Sequence, residues 1–437
     1  MFDSLKILVP ILTVAWNILR TWWWLALPFV LWPAFLFIWK WWRTEGFLKK
    51  NPPIILEIKI PKEVLKPIRA METVFNSLWQ ILYDPADSWE KWIEGKVGLS
   101  YGMEIACIDG QVHFFLRFPK ANRDSVEAAI YAQYPDAEIS EAEDYTKKIP
   151  QDIPNKDWDL WGASYKTLAK SPYPIKTYLE FETEHETLEE KRIDPLAPLL
   201  ELMAKIGPGE QFWIQILAAP VSNQEVPWVD EGKQIRDELA MRVEKKKPNR
   251  PIILEAADVM ITGEPPGGTA EEKKELLPPE MKLTPGERDI IAAIEKKISK
   301  LGFNTSIRFI YLGKKEVFFK PKLRLALGFF SQFSTENLNK LVPYGQPFIT
   351  KIKKSWFLPK NLFKNRKMYL RKRSIFRGYQ SRTDPLFPKS RKWPSSFILN
   401  SEELASMFHF PGRRSAPGPS IERIEAKKGE APPGLPM

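Results

Sequence analysis

The chain has 437 residues, with 65 Lys or Arg against 54 Asp or Glu, a formal charge of +11, a single cysteine and three histidines. The lone Cys107 excludes a disulfide framework and a cysteine-built zinc site, and it suits a reducing compartment. His113, His185 and His409 lie far apart with no HExxH or paired spacing, so neither a dedicated metal enzyme nor a bound cofactor is expected.

Residues 22–39 (WWWLALPFVLWPAFLFIW) are eighteen consecutive uncharged residues, closed by Lys40, Trp41, Trp42 and Arg43. A helix rises about 1.5 Å per residue and a hydrocarbon core of about 30 Å takes about 20 residues, so this run predicts a transmembrane helix. Trp22, Trp23, Trp24, Trp39, Trp41 and Trp42 are the expected membrane-interface residues, forming aromatic belts at its two edges. The competing readings are a buried soluble helix and a signal-peptide core; no small-residue cleavage site follows Trp39. Lys40, Arg43, Lys49 and Lys50 outweigh Lys6 and Arg20, which Asp3 offsets, and the positive-inside rule then places the C-terminal bulk in the cytoplasm. Residues 5–19 are also mostly apolar but short, so one crossing and a hairpin with 5–19 as its first arm both stay open.

After Pro52-Pro53, Leu56, Ile58 and Ile60 alternate with Glu57 and Lys59, the period of a half-buried strand. Val64, Ile68, Met71, Phe75, Leu78 and Leu82 then draw one apolar stripe down a helix. Residues 99–108 and a return strand from Val112 flank Asp109-Gly110, a strong hairpin signal. Val112, Phe114, Leu116 and Phe118 share one face of the return strand, with His113, Phe115 and Arg117 on the other. A helix over 123–134, capped by Asn122, and a strand over 137–143 complete the order β-α-β-β-α-β, a ferredoxin-like domain over 53–146.

A connection rich in Pro and Trp, 147–174, leads to a second unit over 175–344. There 175–182 reads as a strand, 196–206 as a helix ended by Gly207-Pro208-Gly209, and 211–218 as a strand. Residues 221–283 read as an insertion. Thr284-Pro285-Gly286-Glu287 is a capping box with proline at the first helical position, followed by a stripe of Ile290, Ile291, Ile294, Ile298 and Leu301, a stop at Gly302 and a strand over 305–312. The fold class is therefore α+β: an N-terminal transmembrane helix, one or two ferredoxin-like domains, and a basic, partly irregular C-terminal segment over 345–412.

No GxxxxGK[ST], GxSxG or kinase motif set occurs, and the glycines of 263–268 lack a following Lys-Ser or Lys-Thr. Glu180, Glu182, Glu184 and Glu186, spaced two apart, read as a solvent face with His185 among them. No catalytic residue is assigned and an enzyme is not expected; an enzyme acting at the membrane is the third-ranked reading, since no nucleophile–base or metal constellation is visible.

The charge is local: residues 345–393 hold fifteen Lys or Arg and one acid, Asp384. Lys351, Lys353, Lys354, Lys364, Arg366, Lys367, Arg371, Lys372, Arg373 and Arg377 are interleaved with Trp356, Phe357, Phe363, Tyr369, Phe376 and Tyr379. Cations beside stacking rings suit nucleic acid, where phosphates meet Lys and Arg and bases stack. They equally suit an anionic leaflet, at about 1 kcal/mol per basic residue. A basic linker against an acidic partner is the third reading.

Residues 400–412 (NSEELASMFHFPG) form a short capped helix stopped by Pro-Gly, with Leu404, Met407 and Phe408 on its apolar face. A helix this short is unstable alone and must dock. The tail over 413–437 reads as a flexible linker ending in PPGLPM. The ELASMFHFPG stretch with its PPGLP tail resembles the segment just before the nucleotide-binding domain in HerA-like and TraG-like ATPases of conjugation and type IV secretion. The anchor, the Trp41-Trp42-Arg43 exit and the strand beginning Ile55-Leu56-Glu57-Ile58 resemble the membrane-anchored region of uncharacterised bacterial proteins associated with those systems.

The chain stops where the family's phosphate loop begins, so the resemblance implies a non-catalytic accessory or coupling component of a translocation apparatus, with no catalytic residue to carry over. The resemblance implies a separate HerA-like ATPase as partner; the anchor and the basic segment add membrane lipid and nucleic acid, a second copy of the chain is a further expected partner, and the expected place is the inner (cytoplasmic) membrane of a bacterium. The alternative is a peripheral inner-membrane scaffold that binds anionic lipid or a protein partner and has no nucleic-acid role.

Overall fold

The computed structural model describes residues 2–60, 66–181, 194–240, 283–344, 364–382 and 396–412. Helix α1 (Phe2–Lys50) is continuous through Pro10, Pro28 and Pro33. Residues 5–19 are its first turns, so the hairpin alternative is not formed. Its part from Arg20 to Lys50 is long and apolar enough to cross a membrane. At about 1.5 Å per residue, 40–50 carry the helix roughly 16 Å past the apolar run, down to the sheet.

Beyond α1 the elements are β1 (Pro53–Lys59), α2 (Arg69–Leu82), β2 (Tyr101–Ile108), β3 (Gln111–Pro119), α3 (Arg123–Tyr131), β4 (Glu138–Glu141) and β5 (Trp158–Thr167). Then come α4 (Tyr178–Phe181), α5 (Ala197–Ala204), β6 (Glu210–Val221), α6 (Trp228–Leu239), α7 (Pro285–Ile298), β7 (Gly302–Lys314), α8 (Leu323–Ser331) and β8 (Leu341–Pro343). Helix α9 (Lys364–Ser381), β9 (Phe397–Asn400) and α10 (Ser401–Met407) complete the described chain.

The α+β class and the antiparallel sheet follow the sequence reading, but separate four-stranded sheets do not form. One sheet of nine strands runs in the order β4-β1-β3-β2-β6-β7-β5-β8, with β9 paired to β7. Every pairing in it is antiparallel. Read inward from its outer edge, each half places its fourth, first, third and second strands in turn. The halves meet where β2 pairs with β6, from Tyr101 opposite Ala218 to Ile108 opposite Gln211. That seam covers an edge that each half alone would leave bare.

Two local signals act as expected. Asp109 and Gly110 take φ of 50° and 88°, the left-handed pair that a two-residue hairpin requires. Thr284 and Glu287 cap α7 reciprocally. Two expectations are corrected: residues 178–181 are a helical turn rather than strand, and the strand of this region is β5, inside the supposed connection. Gly162 of β5 explains why: a Cβ there would lie 2.7 Å from the Phe309 carbonyl oxygen and 3.0 Å from Ile375 of α9. The small Gly162-Ala163-Ser164 needed for that approach erases the apolar alternation of a strand. Of the supposed insertion, β6 extends to Val221 and α6 packs near α7, with Arg236 Nη1 3.5 Å from Glu295; 241–282 lie outside the described residues.

Helices α2, α3, α5, α8 and α10 cover one face of the sheet over a core that includes Leu56, Phe75, Leu78, Phe114, Ile214, Phe309 and Phe330. On the other face Ile55, Phe115, Trp213, Ile310 and Leu312 meet Tyr145 together with Ile375, Phe376 and Tyr379 of α9. The segment β9-α10 lies within the fold: all of 397–410 is buried. Phe408 and Phe410 pack on Phe114, at 6.0 and 5.8 Å between ring centroids, and Phe410 on Tyr134 at 4.9 Å.

Candidate membrane junction and basic helix

At its C-terminal end α1 is fastened to the domain by a tight turn over Glu90–Glu94. Trp39 Nε1 donates to the Trp92 carbonyl at 2.8 Å, and Arg43 Nε donates to the Ile93 carbonyl. Gly95, at φ +74°, sits with its missing Cβ only 2.2 Å from the Arg43 carbonyl carbon, so no side chain fits between turn and helix. Asp87 and Glu90 cap the turn reciprocally, Asp87 Oδ1 taking the Glu90 N–H at 2.7 Å and Glu90 Oε2 the Asp87 N–H at 3.1 Å. Of the expected interface residues, Trp22, Trp24, Trp41 and Trp42 are exposed and Trp39 is half-buried; the side chain of Trp23 is outside what the structure describes.

Where α1 ends, a pocket of about 280 Å³ is lined by Leu48, Asn51, Ser100, Arg117, Leu217 and Ser306, among others. Burial and the neighbouring Arg382 hold the Arg117 guanidinium below the ordinary arginine range, with Glu104 and Asp144 opposing.

Of the basic segment, the described residues Lys364–Ser381 form helix α9, and 345–363 and 383–395 lie outside the described residues. Lys351, Lys353, Lys354 and Trp356 lie outside the described residues, as do Phe357 and Phe363. Lys364, Arg366, Lys367, Tyr369 and Arg377 are exposed, while Arg371, Lys372 and Arg373 are half-buried. Lys372 pairs with Asp159 of β5. Arg373 donates to the Tyr369 hydroxyl at 2.6 Å and covers its ring at 5.8 Å. Phe376 and Tyr379, expected as stacking surfaces for bases, are instead fully buried against the sheet. With Ile375 they form the apolar stripe of α9, and that stripe outcompetes exposure.

Sequence reasoning missed what locks α9 in place. Arg382, directly after the helix, binds Glu104 Oε1 and Oε2 at 2.7 and 3.1 Å and Asp144 Oδ2 and Oδ1 at 2.6 and 2.9 Å. The Tyr145 hydroxyl donates to Glu104 Oε2 at 2.7 Å and lies 2.7 Å from that of Tyr379. Gln215 Nε2 donates to Glu104 Oε1 at 2.7 Å. Burial alone would raise the Asp144 carboxyl, but bonds from Arg382 and Thr146 outweigh it and hold it below the usual range. The only sequence signal was Glu104 and Gln215 inside otherwise apolar strands.

A second ionic cluster grips α10. Lys297 and Glu403 pair at 3.0 Å with both side chains fully buried, and Glu403 also accepts the Ile175 N–H at 2.8 Å. Lys300 bridges Glu72 and Glu402, each at 2.5 Å, and the Tyr178 hydroxyl donates to Glu72 at 2.7 Å. His409 Nε2 lies 2.9 Å from Asp194 Oδ1. The charged and polar residues of the ELASMFHFPG stretch thus hold the fold together. Cys107 is 3.3 Å from the Met203 carbonyl oxygen, and burial pushes its thiol up to about 12, which removes it as a nucleophile near neutrality. Among the described residues no three of His, Cys, Asp and Glu gather as a metal-binding group.

Residues 62–343 match DUF8128, a domain of unknown function. The chain belongs to the DUF8128 family. No curated protein matches it. The DUF8128 match leaves out α1, β1, α9, β9 and α10, although β1 lies between β4 and β3 and β9-α10 fills the core.

Proposed function

We propose that the chain is a membrane-anchored, non-catalytic accessory or coupling component of a type IV secretion-like or conjugative translocation apparatus. In this reading α1 spans the inner membrane of a bacterium and the sheet domain lies in the cytoplasm. The strand order repeated in the two halves of the sheet supports reading the domain as two ferredoxin-like units joined at β2 and β6. Resemblance of the 400–412 stretch and of the anchor supplies the translocation context and a separate HerA-like ATPase as partner; a second copy of the chain is a further partner in this reading.

The observation that carries a nucleic-acid role is where α9 puts its cations. Asn304 of β7 lines the pocket at the foot of α1, whereas Gly313 of the same strand lies opposite Asp159, the partner of Lys372. Nine strand residues separate the two ends, about 30 Å. Lys364 lies eight helical residues further, about 12 Å. A cationic surface so far from the membrane helix suits a polyanion arriving from the cytoplasm better than the lipid that surrounds α1. Arg373 stacked on Tyr369 adds an exposed ring.

The test uses the full chain in neutral-lipid nanodiscs and fluorescent single- and double-stranded DNA at increasing salt, beside a variant with Lys364, Arg366, Lys367 and Arg377 changed to Ser. Binding that weakens steeply with salt, and that the variant weakens, supports the proposal. No retention of DNA at low salt refutes the nucleic-acid role and leaves the scaffold alternative. That alternative is read separately, as flotation with vesicles that depends on anionic lipid.

A further inference from the structure

Three large apolar side chains stand in the open at the turn that holds α1: Trp92 and Ile93 within it and Trp89 directly before it, at 43, 36 and 66% exposure. Rings left in water next to a membrane helix call for an occupant. The turn touches the aromatic collar directly, since Trp39 Nε1 donates to the Trp92 carbonyl at 2.8 Å and Lys40 Nζ lies 5.8 Å from the Trp92 ring. The collar is itself one assembly: Trp39 and Trp42 meet edge-on at 5.6 Å, and Arg43 covers them at 5.9 and 5.5 Å.

We infer that this turn with its flanking residues, together 84–96, is a second membrane contact, seating Trp89, Trp92 and Ile93 in the lipid headgroup layer beside α1. The inference rests on reading α1 as a membrane anchor. Trp39 closes the apolar run and so marks the edge of the hydrocarbon. The headgroup layer beyond that edge is about 5–8 Å thick. A backbone oxygen 2.8 Å from the Trp39 ring therefore lies at that depth, and the rings of its own turn lie within or against the layer. Gly95 and the reciprocal Asp87–Glu90 cap fix the direction in which the turn presents them.

Charge does not drive this contact. The turn carries Asp84, Asp87, Glu90 and Glu94 against Lys91 and Lys96, and Lys96 is already paired with Asp84 and Glu90. Indoles prefer the interface for their flat apolar body and polar N–H, so the seat forms on zwitterionic lipid as well as on anionic lipid. A single helix leaves its domain free to swivel about the helix axis. A second contact beside it removes that freedom and fixes which side of the sheet faces the membrane.

The test places one labelled cysteine at a time in the full chain, at Trp89, at Ile93, at Trp41 of the collar and at Val317 beyond the far end of β7; the native Cys107 is buried. Each variant is reconstituted in phosphatidylcholine vesicles with an environment-sensitive fluorophore. Quenching by shallow spin-labelled lipid is then compared with quenching by aqueous iodide. The expected result is that probes at Trp89→Cys and Ile93→Cys are quenched by the lipid as strongly as at Trp41→Cys and shielded from iodide, while Val317→Cys responds to iodide alone. If Trp41→Cys is lipid-quenched but both turn probes behave like Val317→Cys, the second contact is wrong and the anchor stands. If Trp41→Cys is also reached only by iodide, the anchor reading fails and takes this inference with it.

Discussion

Replacing Arg382 by Met isolates the clamp that positions the basic helix. The guanidinium is nearly inaccessible and makes four bonds to two carboxylates, and Glu104 is 0% exposed. Methionine keeps much of the volume but leaves the Glu104 charge buried with only Tyr145 and Gln215 as donors. Losing one partner of a buried ion pair costs about 3–5 kcal/mol, because the remaining charge stays desolvated. For a domain of this size each kcal/mol moves the unfolding midpoint by about 2–4 °C, so a fall on the order of 10 °C is expected. Adding Glu104→Gln to Arg382→Met removes the stranded charge and should recover a large share of the loss. Thermal unfolding of the detergent-solubilised full chain measures the stability, and hydrogen exchange over 364–381 measures the hold on α9. A loss below about 1 kcal/mol with unchanged protection of α9 refutes the reasoning, since it means the carboxylates are as well solvated without the arginine as with it.

Three further outcomes follow from the same geometry. Each phosphate neutralised adds about 0.9 to the slope of log affinity against log salt, so removing Lys364, Arg366, Lys367 and Arg377 should flatten the DNA-binding slope by up to about 3.6, read from the salt titration. Burial pushes Glu402 up, but bonds from Lys300 and Thr177 outweigh it, and both Glu402 and Asp144 end below their ordinary values of 4.5 and 3.8. Groups with depressed folded values contribute stability that is present above those ordinary values and lost as pH falls through the folded ones, so urea midpoints should hold from pH 7 to 5 and drop below about pH 4, less so in Glu402→Gln. Lys297→Met strands Glu403 in the core, and unfolding midpoints should fall by more than for the exposed Lys364→Met.

Local grammar was legible and long-range order was not. The four-and-three spacing of Met71, Phe75, Leu78 and Leu82, the Asp109-Gly110 turn and the Thr284 capping box each act within a few residues, and each forms where its pattern lies. The pairing of β2 with β6 joins positions more than a hundred residues apart, and no local period encodes it. Strand β5 is hidden for a packing reason, its centre being small where α9 crosses. The run at 175–182 misleads because four residues of apolar–polar alternation fit a helical turn as well as a strand. In the basic segment composition pointed to an exposed surface, yet Ile375, Phe376 and Tyr379 already carried the spacing of a buried helical face. The two ionic clusters assemble from distant strands and helices, which leaves only isolated buried-type positions such as Glu104 as a trace.

The limits of the DUF8128 match lead to a last prediction, about what folds as a unit. A fragment of residues 62–343 lacks β1, which pairs with β3 from Pro53 to Glu57 and with β4 from Leu56 to Lys59. Its removal strips β4 of its neighbour and bares the edge of β3. It also removes the buried side chains of Ile54, Leu56, Ile58 and Ile60, at about 1.5–3 kcal/mol each. The fragment further lacks Leu399, Leu404, Met407, Phe408 and Phe410, a comparable loss from the same core. Either deletion approaches the whole stability of a typical domain, about 5–15 kcal/mol. Residues 51–412 should therefore unfold cooperatively by circular dichroism, and 62–343 should show no cooperative transition. A sharp transition of the shorter fragment near that of the longer one would show that β1 and β9-α10 are additions to a self-sufficient core. If they are integral, the chain leaving α1 enters β1, the strand next to the β4 edge of the sheet, within three residues, and force or rotation on α1 acts directly on a strand paired on both sides.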